Sequence, residues 1–166
     1  MRRMLLAIAA LFTFVALAAS AALADSPHFQ FANSSVSSTT GALTVDFKEV
    51  GLGTGTSSVQ ITLTVDNATA VYQCFNKGGN HPKAGNKETV SMSLQASGNF
   101  PVRNGQTTAS LSVGPPSQGD FACPSGQSLF LQSVTYSGIT VTDAFGNSLG
   151  ATPDPISSGA IHLLIG

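Results

Sequence analysis

Val59-Gln60-Ile61-Thr62-Leu63-Thr64-Val65-Asp66 is the stretch whose reading decides the fold. Val59, Ile61, Leu63 and Val65 fall on one side of an extended chain and Gln60, Thr62, Thr64 and Asp66 on the other. This is the period-two pattern of a strand with one face in a core. Asp66-Asn67 interrupts the alternation, and residues 69–74 resume it as a further strand ending at Cys74. Residues 75–88 then gather Asn76, Gly78, Gly79, Asn80, Pro82, Gly85 and Asn86, a composition that predicts a long irregular loop.

The same alternation recurs on both sides of this stretch. Upstream, Phe29 and Phe31 alternate with His28 and Gln30, and Leu43, Val45 and Phe47 alternate with Thr44, Asp46 and Lys48. The short connection 51–58 predicts an antiparallel hairpin between that second strand and the Val59 strand. Downstream, Val90, Met92, Leu94 and Ala96 alternate with Ser91, Ser93 and Gln95. Asn104-Gly105 marks a tight turn, and Ala109, Leu111 and Val113 alternate until Pro115-Pro116 stops the strand. Residues 114–127 form a second loop, which holds Cys123. Between 129 and 143 the apolar phase slips, with Val134 and Tyr136 on even positions and Ile139 and Val141 on odd ones. A slip at Ser137-Gly138 predicts a β-bulge in one long bent strand, or a strand that switches sheets.

Residues 144–147 read as a turn, Pro153 and Pro155 break regular structure, and residues 161–165 read as an edge strand or partly ordered tail. No helical spacing follows the first residues. The pattern therefore predicts an all-β fold, an immunoglobulin-like antiparallel β-sandwich of about 7–8 strands, with the domain over 25–150 and the tail over 151–166. The chain has no Trp, so the likeness to antibody domains is one of architecture.

Ahead of the domain stand Met1-Arg2-Arg3, an alanine-rich apolar run over 4–17, and Ala22-Leu23-Ala24. A charged start, an apolar middle and a small-residue cleavage site predict a signal peptide over 1–24. The alternative, an uncleaved anchor, is disfavoured because a spanning helix needs ~20 apolar residues. Export places Cys74 and Cys123, the chain's two cysteines, in an oxidising compartment, where an even pair reads as one disulfide. Closing a loop of about fifty residues stabilises a fold by roughly 3–4 kcal/mol on the chain-entropy model.

Composition excludes several classes. Without Arg2 and Arg3 the mature chain carries five basic residues against eight acidic ones, a net charge of −3. That balance argues against nucleic acid and gives no attraction to an anionic membrane. Three of the five basic residues, Lys77, Lys83 and Lys87, share one loop with Asn80 and His81, a candidate contact for an anion or acidic glycan. The plainer account is a solvated loop kept soluble by its lysines. Asn76, Asn80 and Asn86 are expected to cap that loop's own backbone.

His28, His81 and His162 have no ligand spacing, so neither a metal nor a cofactor is expected. Asp66-Asn67 and Asp143 are better explained as turn formers than as calcium ligands. The glycine-rich 51–55 is followed by no helix pattern that could receive a phosphate. A Gly-x-Ser-x-Gly elbow and a His-Glu-x-x-His motif are both absent, and no catalytic residue is assigned. Asn33-Ser34-Ser35 and Asn67-Ala68-Thr69 match the glycan acceptor pattern, which matters only in a eukaryotic secretory pathway.

The segment from Cys74-Phe75-Asn76-Lys77-Gly78-Gly79-Asn80-His81-Pro82 through Gly85-Asn86 to Cys123-Pro124 and Val134-Thr135-Tyr136 resembles a group of small exported bacterial proteins. The likeness covers roughly residues 60–143 and implies a secreted, disulfide-bonded β-sandwich. It implies no activity and carries over no catalytic residue. The expectation is a non-enzymatic binding or structural module, secreted or attached to the envelope, presenting loops 75–88 and 114–127 stapled by Cys74–Cys123 to a protein or glycan. The alternative is a small hydrolase or glycan-active enzyme with its site near the first loop. A surface-layer component is a third reading, and predicts self-association.

Overall fold

The computed structural model describes residues 26–76 and 82–165, the side chains of 82–85 apart. The expected signal peptide lies outside the described residues. Those described form nine strands: β1 His28–Val36, β2 Leu43–Val50, β3 Ser58–Asn76, β4 Pro82–Pro101, β5 Gln106–Val113, β6 Gln127–Asp143, β7 Ser148–Gly150, β8 Ile156–Ser157 and β9 Leu163–Ile165. Among them no helix is long and apolar enough to cross a membrane.

Alternation along β2 and β3 dictates how the sheets meet. Leu43, Val45 and Phe47 are fully buried on one side of the core, and Ile61, Leu63 and Val65 on the other. β2 pairs with β1 and β5, giving a sheet of order β1-β2-β5; β3 pairs with β4 and β6, giving the order β4-β3-β6-β7, with β8 and β9 also on β6. Every strand pairing within the two sheets is antiparallel. Phe47 bridges the layers: its ring meets Phe29 edge-on at 6.2 Å and Phe100 of the opposite sheet edge-on at 5.2 Å.

The hairpin expected across 51–58 does not form, because β2 and β3 lie in different sheets. That connection instead binds the other crossing, from β4 to β5. Leu52 N donates to Gly105 O at 3.0 Å and Val102 N to Ser57 O at 2.9 Å. Leu52, 2% exposed, turns into the core on the way. Asn104 and Gly105 take positive φ, 53° and 71°, as a tight two-residue turn requires.

β3 is one strand of 19 residues where the sequence suggested two. Its buried phase moves from Val59, Ile61, Leu63 and Val65 to Ala68, Ala70, Tyr72 and Cys74. β6 makes the matching change, from Ile139 and Val141 to Tyr136 and Val134. The pairing runs from Val65↔Ile139 to Asn67↔Ser137 without slipping, so the two strands invert together. The slip appears against β4, between Val65↔Leu94 and Ala68↔Met92.

Gly138 makes the inversion sterically possible. Its φ is +66°, and a Cβ there would stand 2.4 Å from Asp66 Oδ2. Asp154 grips the same point, accepting from Gly138 N at 3.1 Å and Ile139 N at 2.8 Å. The expected phase change at Ser137-Gly138 is thus present, while Asp66-Asn67 belongs to its partner strand and not to a turn.

Residues 151–165 return to the sandwich. Ala151 and Ile161 are 5% exposed in the core, and β8 and β9 pair with β6.

Candidate functional site

At one end of the sandwich β3 and β4 run on as a hairpin. Phe75 and Asn76 belong to β3 and residues 82–88 to β4, so most of the loop expected over 75–88 is strand. The glycine- and asparagine-rich composition is absorbed differently. Register slips between Gln73↔Lys87 and Phe75↔Pro82, so that residues 83–86 bulge opposite Cys74. Lys77, Asn80 and His81 lie outside the described residues, as does the side chain of Lys83. Lys87 is exposed on β4, opposite Gln73.

Cys74 is fully buried and bonded to Cys123, with Cα atoms 5.6 Å apart. The bond ties a strand to the second loop, and does not join two loops. That loop is further held by Tyr72, whose buried hydroxyl donates to Pro116 O. Beside it lies an open cleft of about 420 Å³, lined by Gln118, Phe121, Cys123, Ser128, Leu129 and Leu164.

At the same end, on the outer face of the sheet, lies a cluster that no local sequence pattern announces. Phe130 of β6 stacks on His162 with ring centres 4.1 Å apart, and Phe75 meets both edge-on, at 5.2 Å and 4.8 Å. His162 is exposed, and Leu164 is 57% exposed. Gln132 Nε2 donates to His162 Nδ1 at 3.4 Å. A chain of amides crosses the three strands nearby: Asn86 Nδ2 donates to Gln127 Oε1 at 2.8 Å, and Gln127 Nε2 to Asn76 Oδ1 at 3.2 Å. Asn76 and Asn86 therefore bond across strands through Gln127, while Asn80 lies outside the described residues. Pairing of β6 with β9, Phe130↔Leu164, carries the distant 162–164 segment here, and no local pattern announces such a return.

The other end of the sandwich carries a buried pair of acids. Glu49 on β2 is fully buried, opposite Phe29 and the buried Thr107, and neither carboxyl oxygen has a hydrogen-bond partner among the described residues. Burial raises its carboxyl, and the neighbouring Asp143 raises it further, to about 8. Burial pushes Asp143 upward too, but its contact with Glu49 and the donors of Asn147 and Phe145 outweigh that, leaving it below its ordinary value. Those donors are Phe145 N and Asn147 N, each 2.8 Å from Oδ1, and Asn147 Nδ2, 2.7 Å from Oδ2. The proton is therefore held on Glu49, with Asp143 beside it kept in its charged form. Parity was the available signal: Glu49 continues Leu43, Val45 and Phe47, and Asp143 continues Ile139 and Val141.

Among the described residues no group of three or more His, Cys, Asp or Glu is placed to hold a metal. The disulfide end offers an exposed His162 ring stacked on the half-buried Phe130 with Phe75 buried against both, amide donors and acceptors, and a cleft on a cross-linked frame, which is chemistry for holding a partner. Comparison with family models, with curated proteins and with solved structures finds no match to this chain.

Proposed function

We propose that the chain is a secreted or envelope-associated, non-enzymatic module that binds a protein or glycan through the disulfide-linked end of an immunoglobulin-like sandwich. The observation that carries this reading is the Phe75–Phe130–His162 cluster on the outer sheet face, at the same end of the sandwich as the cleft and the Cys74–Cys123 bond. Aromatic faces give contact area with few torsions to freeze, and a cross-linked wall lowers the ordering cost of association. A disulfide also supports an oxidising destination. The immunoglobulin-like part of the reading is supported by the strand orders β1-β2-β5 and β4-β3-β6-β7, in which consecutive strands cross between facing sheets.

The test is capture from culture medium and cell envelope with immobilised mature chain, run beside Phe130→Ala/His162→Ala and Phe145→Ala. Phe145 is 60% exposed in the turn at the opposite end. The proposal expects bound material to fall at least about tenfold in the double variant and to stay unchanged in Phe145→Ala. Equal recovery by all three proteins speaks against it.

A further inference from the structure

The four-strand path of the larger sheet has two edges built in opposite ways. One is broken into β7, β8 and β9, of three, two and three residues, with Pro153, Asp154 and Pro155 among them. Short strands, prolines and charge are the usual means of keeping a sheet edge from pairing with another chain. The other edge is β4, 20 residues long and last in its sheet, with no strand on its outer side among the described residues.

β4 has none of those protections over most of its length. Residues 89–102 carry no charge, and no proline interrupts residues 83–100. The extra residue at the slip near Met92 lies in β3, so the edge itself runs on without a bulge there. Met92 shares its face with Val90 and Leu94, which pack against the core, yet is 47% exposed. On the other face Ser91, Ser93, Gln95 and Ser97 are exposed. Hydroxyls on this sheet already pair across strands, Thr69 with Ser91 and Thr62 with Ser97, both at 2.9 Å.

We propose that β4 pairs with β4 of a second copy of this chain, antiparallel about a two-fold axis at Leu94, joining two sheets into one. A strand edge with unpaired N–H and C=O groups takes another strand, and the absence of charge selects this occupant. In two-fold pairing any charge near the axis meets its own copy, so a neutral run is what homotypic contact needs and what a foreign strand does not. Centring at Leu94 sets Leu94 against Leu94, Met92 against Ala96 and Val90 against Gly98 on one face. It sets Ser93 against Gln95, Ser91 against Ser97 and Thr89 against Asn99 on the other. The exposed Met92 is then covered, and the first charge, Glu88, falls opposite Phe100. This inference stands independently of the binding reading for the disulfide end.

Sedimentation equilibrium of the mature chain from about 1 µM to about 1 mM tests it. The expected result is a mass that rises to twice the monomer's, with a midpoint at least about tenfold higher in Ser93→Lys/Gln95→Lys, where two like-charged pairs face each other. Hydrogen exchange on the unmutated chain is the companion measurement, and decides the matter if the variant fails to fold. Amides of 89–99 gain protection as concentration rises if the edge pairs, and exchange alike at every concentration if it does not. A monomer throughout the range overturns the proposal, as does a dimer that the two lysines leave unchanged.

Discussion

One end of this sandwich holds a covalent bond and the other a buried pair of carboxyls. At the first, Cys74 of β3 is joined to Cys123 in the loop before β6, and the closure depends on the redox state of the compartment. At the second, Glu49 of β2 and Asp143 of β6 lie against each other from the two sheets, and what they contribute depends on pH. A cross-linked end can expose His162 and Leu164 to solvent without loosening, whereas the acid-bearing end must keep its carboxyls dry for Glu49 to hold its proton.

The comparison breaks most severely if the covalent end is opened. Cys74→Ser/Cys123→Ser is expected to lose roughly 3–4 kcal/mol of stability, read by urea unfolding, and to free the loop over 114–126. An unchanged midpoint would mean that the crosslink constrains little.

At the opposite end the prediction concerns pH, and its sign follows from where the proton sits. Glu49 ordinarily titrates at 4.5 and in the fold at about 8, so the folded chain holds a proton that the unfolded chain has released between those values. Its stabilisation is complete below the lower value and is lost as pH rises toward the upper. Asp143 has the opposite sign, its contribution being lost only in acid. Stability is thus expected to fall by about 2 kcal/mol from pH ~5 to pH ~7, with a slope no steeper than ~1.4 kcal/mol per unit. Glu49→Gln removes the titrating carboxyl and should flatten that profile, whereas the disulfide variant should keep its slope. A flat profile in the unmutated chain contradicts a proton held on Glu49.

Between the ends lies the phase inversion of β3 and β6, where smaller effects are expected. Gly138→Ala places a Cβ against Asp66 at positive φ and should cost about 1–3 kcal/mol. Asp154→Asn removes a charged acceptor from Gly138 N and Ile139 N, and should cost about 1 kcal/mol. Both changes should lower thermal stability without altering its pH profile or its response to reductant, which separates the middle of the sandwich from its ends.

Much of this frame is legible in the alternation of the chain. Leu43, Val45 and Phe47, Ile61, Leu63 and Val65, and Ile139 and Val141 all face the core as period two requires, and the slip at Ser137-Gly138 is visible as a change of parity. Sheet membership is not legible that way. An antiparallel neighbour and a facing strand bury the same alternate residues, so the connection 51–58 reads as a hairpin although it crosses between layers. Composition misleads at 82–88, where long-range pairing with β3 overrides a local preference for loop. The aromatic cluster was hidden for a related reason: Phe75 and Phe130 meet through the pairing of β3 with β6, and His162 joins them because β9 returns to β6.

The most direct test of the account is a chemical-shift map of the labelled mature chain, titrated with whatever material the unmutated protein captures and the Phe130→Ala/His162→Ala protein does not. The account predicts perturbations gathered at Phe75, residues 118–132 and residues 162–165. Perturbations gathered instead around the 144–147 turn, with the disulfide end silent, would contradict it.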